Sequence, residues 1–162
     1  MKKGVLTIFI ALALFSLLGC STISSVTTPF SSTSAKIIRE AELAATWKIM
    51  QLSLQVEADK ELPILIKLAD GDRVDGYFYL EKGNNVDFQI TANSLVYKPP
   101  APTAAKGMTS DRFSFTASAA QGGSYILTFR NPASVSDKTR ITIFLEVVYP
   151  STGSVFTTLE NK

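Results

Sequence analysis

The amino-acid sequence predicts an all-β fold, an antiparallel β-sandwich of about seven or eight strands. Apolar residues recur at every second position in one segment after another, which is the period of a strand with one buried face. Turn residues such as Gly, Asn and Asp separate these segments at short intervals. No segment between them offers the crossover helices that a parallel sheet needs.

The first 19 residues have the layout of a secretory signal peptide. Lys2 and Lys3 supply the positive charge, residues 5–15 are almost wholly apolar, and small residues precede Cys20. A transmembrane helix needs about 20 apolar residues, and this segment is shorter. The leader is therefore predicted to be removed after export.

Cys20 is the only cysteine in the chain. A cysteine at the edge of a leader has no core to enter, so it is not expected to pack as a buried thiol. Residues 17–20 read Leu-Leu-Gly-Cys and resemble the cleavage box of bacterial lipoproteins, with Leu17, Gly19 and Cys20 at the family's key positions. The resemblance implies acyl chains on Cys20 that hold the protein to the cell membrane or outer membrane, on the extracytoplasmic side.

Composition excludes several functional classes. The chain has 16 basic and 14 acidic residues, and Lys2 and Lys3 account for the difference, so the mature chain is neutral. Without a basic run, no nucleic-acid partner is expected. The absence of histidine removes the usual general base and the commonest metal ligand. Neither a cofactor nor an enzymatic activity is predicted, and only a hydrolase that uses carboxylates alone stays open.

The chain divides into three predicted segments. Residues 1–19 are the signal peptide, residues 20–46 are the lipidated N-terminus with a Ser/Thr-rich tether, and residues 47–162 are the β-sandwich domain. Small polar residues dominate the first part of the tether and cannot bury enough apolar surface to order it. Residues 35–46 contain several helix formers, which leaves a helical turn or two open.

From Trp47 onwards the sequence follows the period of two. The predicted inward faces lie within residues 50–56, 62–68, 74–80, 86–90, 113–117, 125–129 and 141–147, with a short edge strand near 155–158. Residues 93–111 interrupt the pattern with three prolines, and a loop of this length is often functional or mobile. Residues 95–97 are expected to pair briefly before that loop.

Residues 123–131, Gly-Ser-Tyr-Ile-Leu-Thr-Phe-Arg-Asn, resemble the signature strand of the GOLD domain. Residues 70–78 and 86–90 are similar to the turn and the strand that precede it in that family. The resemblance implies a β-sandwich used for protein or lipid interaction. Thr128 stands where the family's cargo receptors have a disulfide cysteine, so their trafficking role is not implied. From the residues alone, Tyr125 and Phe129 are predicted core residues, and Asn131 is predicted to hydrogen-bond the next turn.

Three tyrosines form the candidate binding surface. Tyr77 and Tyr79 lie on the strand face opposite Phe78, and Tyr97 stands beside the proline-rich loop. Exposed aromatic side chains on strands can bind ligands or partners. Packing across strands or under a loop is the alternative.

Two clusters of acidic residues are candidates for metal binding or catalysis. Asp70, Asp72 and Asp75 surround Gly71 and are weak candidates for a calcium loop, with a solvated turn as the favoured alternative. Acidic residues at 57, 59 and 61 suggest a charged hairpin tip more than a pair of catalytic carboxylates.

The predicted function is that of a membrane-anchored, non-catalytic module that binds a protein or another ligand. The alternative is a structural envelope protein or a subunit of a lipoprotein complex. In that case an exposed edge strand would accept another chain.

Overall fold

The computed structural model describes residues 33–100, 107–132 and 139–157. Within these residues the chain forms ten β-strands and one short 3₁₀ helix, Ala119–Gln121. The strands are β1 (Ser34–Ala44), β2 (Trp47–Val56), β3 (Glu61–Lys67), β4 (Arg73–Lys82), β5 (Asp87–Thr91), β6 (Leu95–Tyr97), β7 (Ser110–Thr116), β8 (Ser124–Arg130), β9 (Ile141–Pro150) and β10 (Ser154–Thr157).

The strands form two antiparallel sheets of five. The first sheet has the order β1-β2-β9-β4-β7, and the second sheet has the order β10-β3-β8-β5-β6. The buried apolar side chains of the two sheets make one shared core. The prediction of an all-β antiparallel sandwich is confirmed, with ten strands in the described residues in place of the seven or eight expected.

The unexpected long strand is β1. It pairs antiparallel with β2, from Ser34 opposite Gln55 to Ala44 opposite Trp47. A helical turn at residues 35–46 is therefore wrong. Helix propensity favours a short segment by only about tenths of a kcal/mol per residue, and the ladder to β2 outweighs it. The sheet begins inside the segment predicted as tether, before the predicted domain start at residue 47.

The predicted alternation of buried side chains is present in β2 to β5 and in β7 to β9. Leu52, Ile64, Leu127 and Ile143, for example, are fully buried. Three phenylalanines fill the centre between the sheets, because the ring of Phe78 lies 4.9 Å from that of Phe88 and 5.3 Å from that of Phe129. The core therefore depends on close packing of aromatic rings from both sheets.

The turns around β8 follow the sequence expectation. Gly122 and Gly123 have φ angles of 75° and 72°, a region that favours glycine. Tyr125 is fully buried and its hydroxyl accepts a hydrogen bond from the Ser118 amide at 2.7 Å. The Asn131 side chain donates to the Thr139 carbonyl at 2.9 Å and to the Val56 carbonyl at 3.0 Å. The side chain of Asn131 thus joins β2 to the approach to β9.

The break at residues 93–111 is shorter than predicted. It contains β6, which confirms the brief strand pairing expected at residues 95–97, and it also contains the start of β7. Residues 101–106 lie outside the described residues, as do the predicted signal peptide (residues 1–19) and Cys20. Where the structure describes the chain, it contains no helix that is long and apolar enough to span a membrane.

Candidate functional site

The outer face of the first sheet carries Tyr77 and Tyr79. Both project from β4 on the side away from the core, because they alternate with the buried Phe78. The register places Tyr79 opposite Phe144 of β9, and Tyr77 between Glu146 of β9 and Arg112 of β7. Three strands therefore bring these side chains onto one surface.

These side chains contact one another in series, and we call them the aromatic ladder (Tyr77, Tyr79 and Phe144, with Arg112 at its end). The rings of Tyr79 and Phe144 lie 5.1 Å apart and nearly parallel, at 22°. The Tyr77 ring lies 5.9 Å from Phe144, and the Arg112 guanidinium carbon lies 5.8 Å from the Tyr77 ring centre. Cross-strand aromatic pairs and cation–π contacts restrict the rotamers of their members. The ladder is thus an ordered surface, with Tyr79 40% exposed.

A polar pair borders the ladder. Gln51 Nε2 donates to Glu146 Oε2 at 2.6 Å, and the Tyr77 hydroxyl donates to the same oxygen at 3.4 Å. Partial burial, followed by the negative charge of Glu146, raises the pKa of Tyr77. The phenol is protonated at neutral pH, and its hydrogen atom is directed to Glu146.

Two open depressions flank Tyr77. One, of about 450 Å³, is lined by Asp75, Gly76, Arg112, Ser114 and Glu146 among others. The other, of about 520 Å³, lies towards Tyr79, Ser110 and Asp111. Sites for small molecules usually enclose most of their ligand. These open depressions are better suited to a broad macromolecular surface.

The Tyr97 ring packs with the core and not with the rings of the aromatic ladder. It lies 6.2 Å from Phe88 and 6.4 Å from Phe113, at the margin of the core. Its hydroxyl donates to Asp111 Oδ2 at 2.7 Å and approaches the Arg112 carbonyl at 3.2 Å. Tyr97 therefore connects β6 of the second sheet to β7 of the first, and the structure does not bring it to Tyr77 and Tyr79.

Two tyrosines should make the fold sensitive to alkali. Burial and then the hydrogen bond to Asp111 raise the pKa of Tyr97 to about 12, and burial and then the charge of Glu40 raise that of Tyr149 to about 12. A raised phenol pKa means that the folded state favours the neutral form. The free energy of unfolding is therefore expected to hold below about pH 10 and to fall as pH rises from about 10 to 12.

Alkaline titration of tyrosinate absorbance tests this expectation. Tyr97→Phe and Tyr149→Phe should each remove one late-titrating group from the folded protein. If every tyrosine of the folded protein ionised together near the ordinary pKa of about 10, the burial argument would be contradicted.

The aspartates around Gly71 have protein partners. Asp70 Oδ1 accepts from the Ala119 amide at 2.7 Å, and Asp72 Oδ2 accepts from the Ala69 amide at 2.8 Å. Asp75 forms an ion pair with Arg73 at 2.9 Å, and the hydrogen bond from Arg73 lowers the pKa of Asp75. Across residues 33–100, 107–132 and 139–157, no three acidic, His or Cys side chains converge as metal ligands.

The acidic hairpin near residue 59 is also paired. Glu57 Oε1 accepts from Arg140 Nε at 2.6 Å, and Asp59 Oδ1 lies 3.3 Å from Arg130 Nη2. Asp59 has a φ of 59°, as the turn requires. The Glu57 and Asp59 carboxylates are thus directed to two different arginines.

Sequence reasoning missed Phe144, Glu146 and Arg112. A signal for Phe144 was present, because it occupies an outward position in the alternating run 141–147.

Comparison with known proteins finds no protein-family model that matches the chain and no significant match among curated proteins.

Proposed function

We propose that this protein is a lipid-anchored, non-catalytic module that binds another protein through the aromatic ladder on the outer face of its first sheet. The observation that carries the proposal is the series of contacts that joins Tyr79 to Phe144, Phe144 to Tyr77 and Tyr77 to Arg112. Tyr and Arg are enriched in the energetically dominant parts of protein interfaces. Because these side chains already pack against one another, ordering them on binding should cost little side-chain entropy.

The polar groups around the ladder suit the same role. Glu146 and Arg112 lie on either side of Tyr77, and Gln51 lies beyond Glu146, so hydrogen-bonding groups border the apolar rings on the Tyr77 side. This arrangement is typical of protein interfaces, which have an apolar core and a polar rim. The open form of the depressions beside Tyr77 supports a broad partner over a small molecule.

A non-catalytic role is supported by the residues themselves. The chain contains no histidine. Two of the three acidic residues considered for carboxylate-only chemistry, Glu57 and Asp59, pair with Arg140 and Arg130. Recognition, rather than bond making, is the chemistry that the outer face of the first sheet supports.

The lipid anchor is proposed from the leader and from Leu17, Gly19 and Cys20. Acyl chains on Cys20 would confine the domain to a membrane surface outside the cytoplasm. Confinement raises the local concentration of the domain, so that weak contacts with a membrane-associated partner suffice. The resemblance of residues 123–131 to the GOLD signature strand supports an interaction module in the same way.

Replacement of Cys20 by Ser is expected to abolish incorporation of labelled fatty acid. The serine hydroxyl cannot form the thioether that the lipoprotein resemblance implies, so an unprocessed or mislocalised precursor should accumulate. Metabolic labelling followed by membrane fractionation measures both effects. Undiminished labelling of the Ser variant would rule out Cys20 as the attachment site.

Replacement of Tyr79 by Ser is expected to weaken partner binding at least about tenfold, because an exposed aromatic residue at the centre of an interface is a typical hot spot. Phe156→Ser is the matched control: Phe156 is 42% exposed, close to the 40% of Tyr79, but lies on the second sheet. The measurement is recovery of the same partner by wild type and both variants from detergent-solubilised membranes. Equal losses in both variants, or a loss only in Phe156→Ser, would refute the proposed surface.

A subunit of a lipoprotein complex is the second candidate function. It is favoured by one observation, the position of the eleven-residue strand β1 at the end of the first sheet, where no strand of the described residues pairs with its outer edge. An exposed edge strand can accept a strand from another chain.

A further inference from the structure

The edge strand β1 has several exposed apolar side chains. It is eleven residues long and pairs with β2 on one side, with register shifts at Ile38 and Leu43, and it is the terminal strand of the first sheet among the described residues. Ile37, Ile38 and Leu43 are 44%, 51% and 53% exposed. Long exposed edges with apolar side chains are prone to pair with another strand.

We propose that β1 accepts a single strand from a different protein, one with acidic side chains beside Lys36 and Arg39 and basic side chains beside Glu40 and Glu42. A second copy of this chain does not meet these requirements. The charged residues of β1 are divided by sign between the two faces of the strand.

The register with β2 assigns these faces. Lys36 and Arg39 lie opposite Ser53 and Gln51, whose strand positions point outward, away from the core. The ladder has a register shift at Ile38, which keeps the two basic residues on the same face. The outward side of β1 therefore carries only positive charge.

The opposite side of β1 carries only negative charge. Glu40 lies opposite the buried Met50, and Glu42 lies opposite Lys48, which shares the strand face of Met50. Within β1 the two signs thus lie on opposite faces, and on the acidic face Glu42 lies beside Lys48 of β2. A partner strand would meet basic groups on one face and acidic groups on the other.

This separation disfavours a second copy of the chain. Two identical edge strands pair antiparallel about a two-fold axis perpendicular to the sheet, so each face meets the same face of its copy. Across these faces, a charged residue can only meet a charge of its own sign, for example Arg39 opposite Arg39 or Glu40 opposite Glu42. Like charges directly opposite one another destabilise a sheet, and natural edge strands use charge to prevent self-association.

A foreign strand with the complementary pattern avoids this repulsion. Its outward residues would be acidic and its inward residues basic, so four opposite-charge pairs would form along β1. Its backbone would complete the hydrogen-bonding row that β1 leaves open, and it would cover Ile37, Ile38 and Leu43. Charge thus selects the partner, while the backbone supplies sequence-independent attraction.

Two synthetic eleven-residue peptides test the proposal on the full-length, detergent-solubilised protein. The first carries Glu opposite Lys36 and Arg39 and Lys opposite Glu40 and Glu42, with Thr and Val elsewhere; the second exchanges Glu and Lys. Hydrogen exchange of residues 34–44 and fluorescence anisotropy report binding. The first peptide should slow exchange in β1 and bind at least about tenfold more tightly than the second. Equal affinities, protection outside β1, or no protection by either peptide would overturn the proposal.

A charge-exchanged protein provides the reciprocal experiment. In the variant K36E/R39E/E40K/E42K the preference should reverse, because the signs on both faces of β1 are exchanged. Circular dichroism checks the fold of this variant. The comparison of the two peptides on the wild-type protein does not depend on whether the variant folds. Tyr79→Ser should bind the first peptide as wild type does, since β4 is three strands away from β1. Dimerisation of the wild type through β1 in analytical ultracentrifugation would contradict the exclusion of a second copy.

Discussion

Replacing Phe129 by Ala is expected to lower the free energy of unfolding by about 3–5 kcal/mol. Phe129 is fully buried, and its ring lies 4.8 Å from that of Phe88 and 5.3 Å from that of Phe78. The substitution would remove the ring from the contact between the two sheets and leave a cavity that close-packed neighbours fill only in part. Chemical denaturation of wild type and variant measures the change.

The matched control for this variant is Phe156→Ala. Phe156 is 42% exposed on the outer side of the second sheet, and surface substitutions usually change stability by about 0.5 kcal/mol or less. A loss below about 1 kcal/mol for Phe129→Ala would mean that its strand faces the opposite way and would contradict the packing of the core.

Replacing Gly76 by Ala is expected to lower the free energy of unfolding by about 1–3 kcal/mol, through overpacking. A methyl group at Gly76 would point into the ring of Phe113 and lie 2.9 Å from the Glu146 carbonyl oxygen. Gly76 lies on β4 between Asp75 and Tyr77. Gly76 and the Phe113 ring that packs against it both line the depression beside the aromatic ladder. Denaturation curves give the size of the loss.

A double-mutant cycle with Phe113→Leu isolates the cause. The smaller, flexible leucine should give way to the added methyl group, so the cost of Gly76→Ala should be lower in that background by at least about 0.5 kcal/mol. If the two losses simply added, the contact with Phe113 would not be the reason for the glycine.

The strands β2 to β5 and β7 to β9 could be predicted because each has one face in the core and one in solvent. In β9, Ile141, Ile143, Leu145 and Val147 are buried while the residues between them are partly exposed, and the sequence alternates accordingly. β1 could not be predicted in this way, because it is exposed on both faces and shows no alternation. Its conformation is imposed by the free edge of β2, which no local pattern in residues 34–44 reveals.

The binding surface was only partly predictable for a related reason. Tyr77 and Tyr79 were expected on the outer side of their strand because they alternate with Phe78 and Leu80. Their contact with Phe144 depends on the register between β4 and β9, strands that lie far apart in the chain. The position of Tyr97 likewise depends on the approach of β6 to β7, which the local sequence does not encode.

Site-specific photo-crosslinking in living cells tests the proposed interface most directly. A photoreactive phenylalanine analogue replaces Tyr79 in one strain and Phe156, a residue of similar exposure on the other sheet, in a second strain. Binding through the aromatic ladder predicts one discrete protein adduct from position 79 and none from position 156. An adduct from position 156 with none from position 79 would contradict the assignment of the first sheet's outer face as the docking surface.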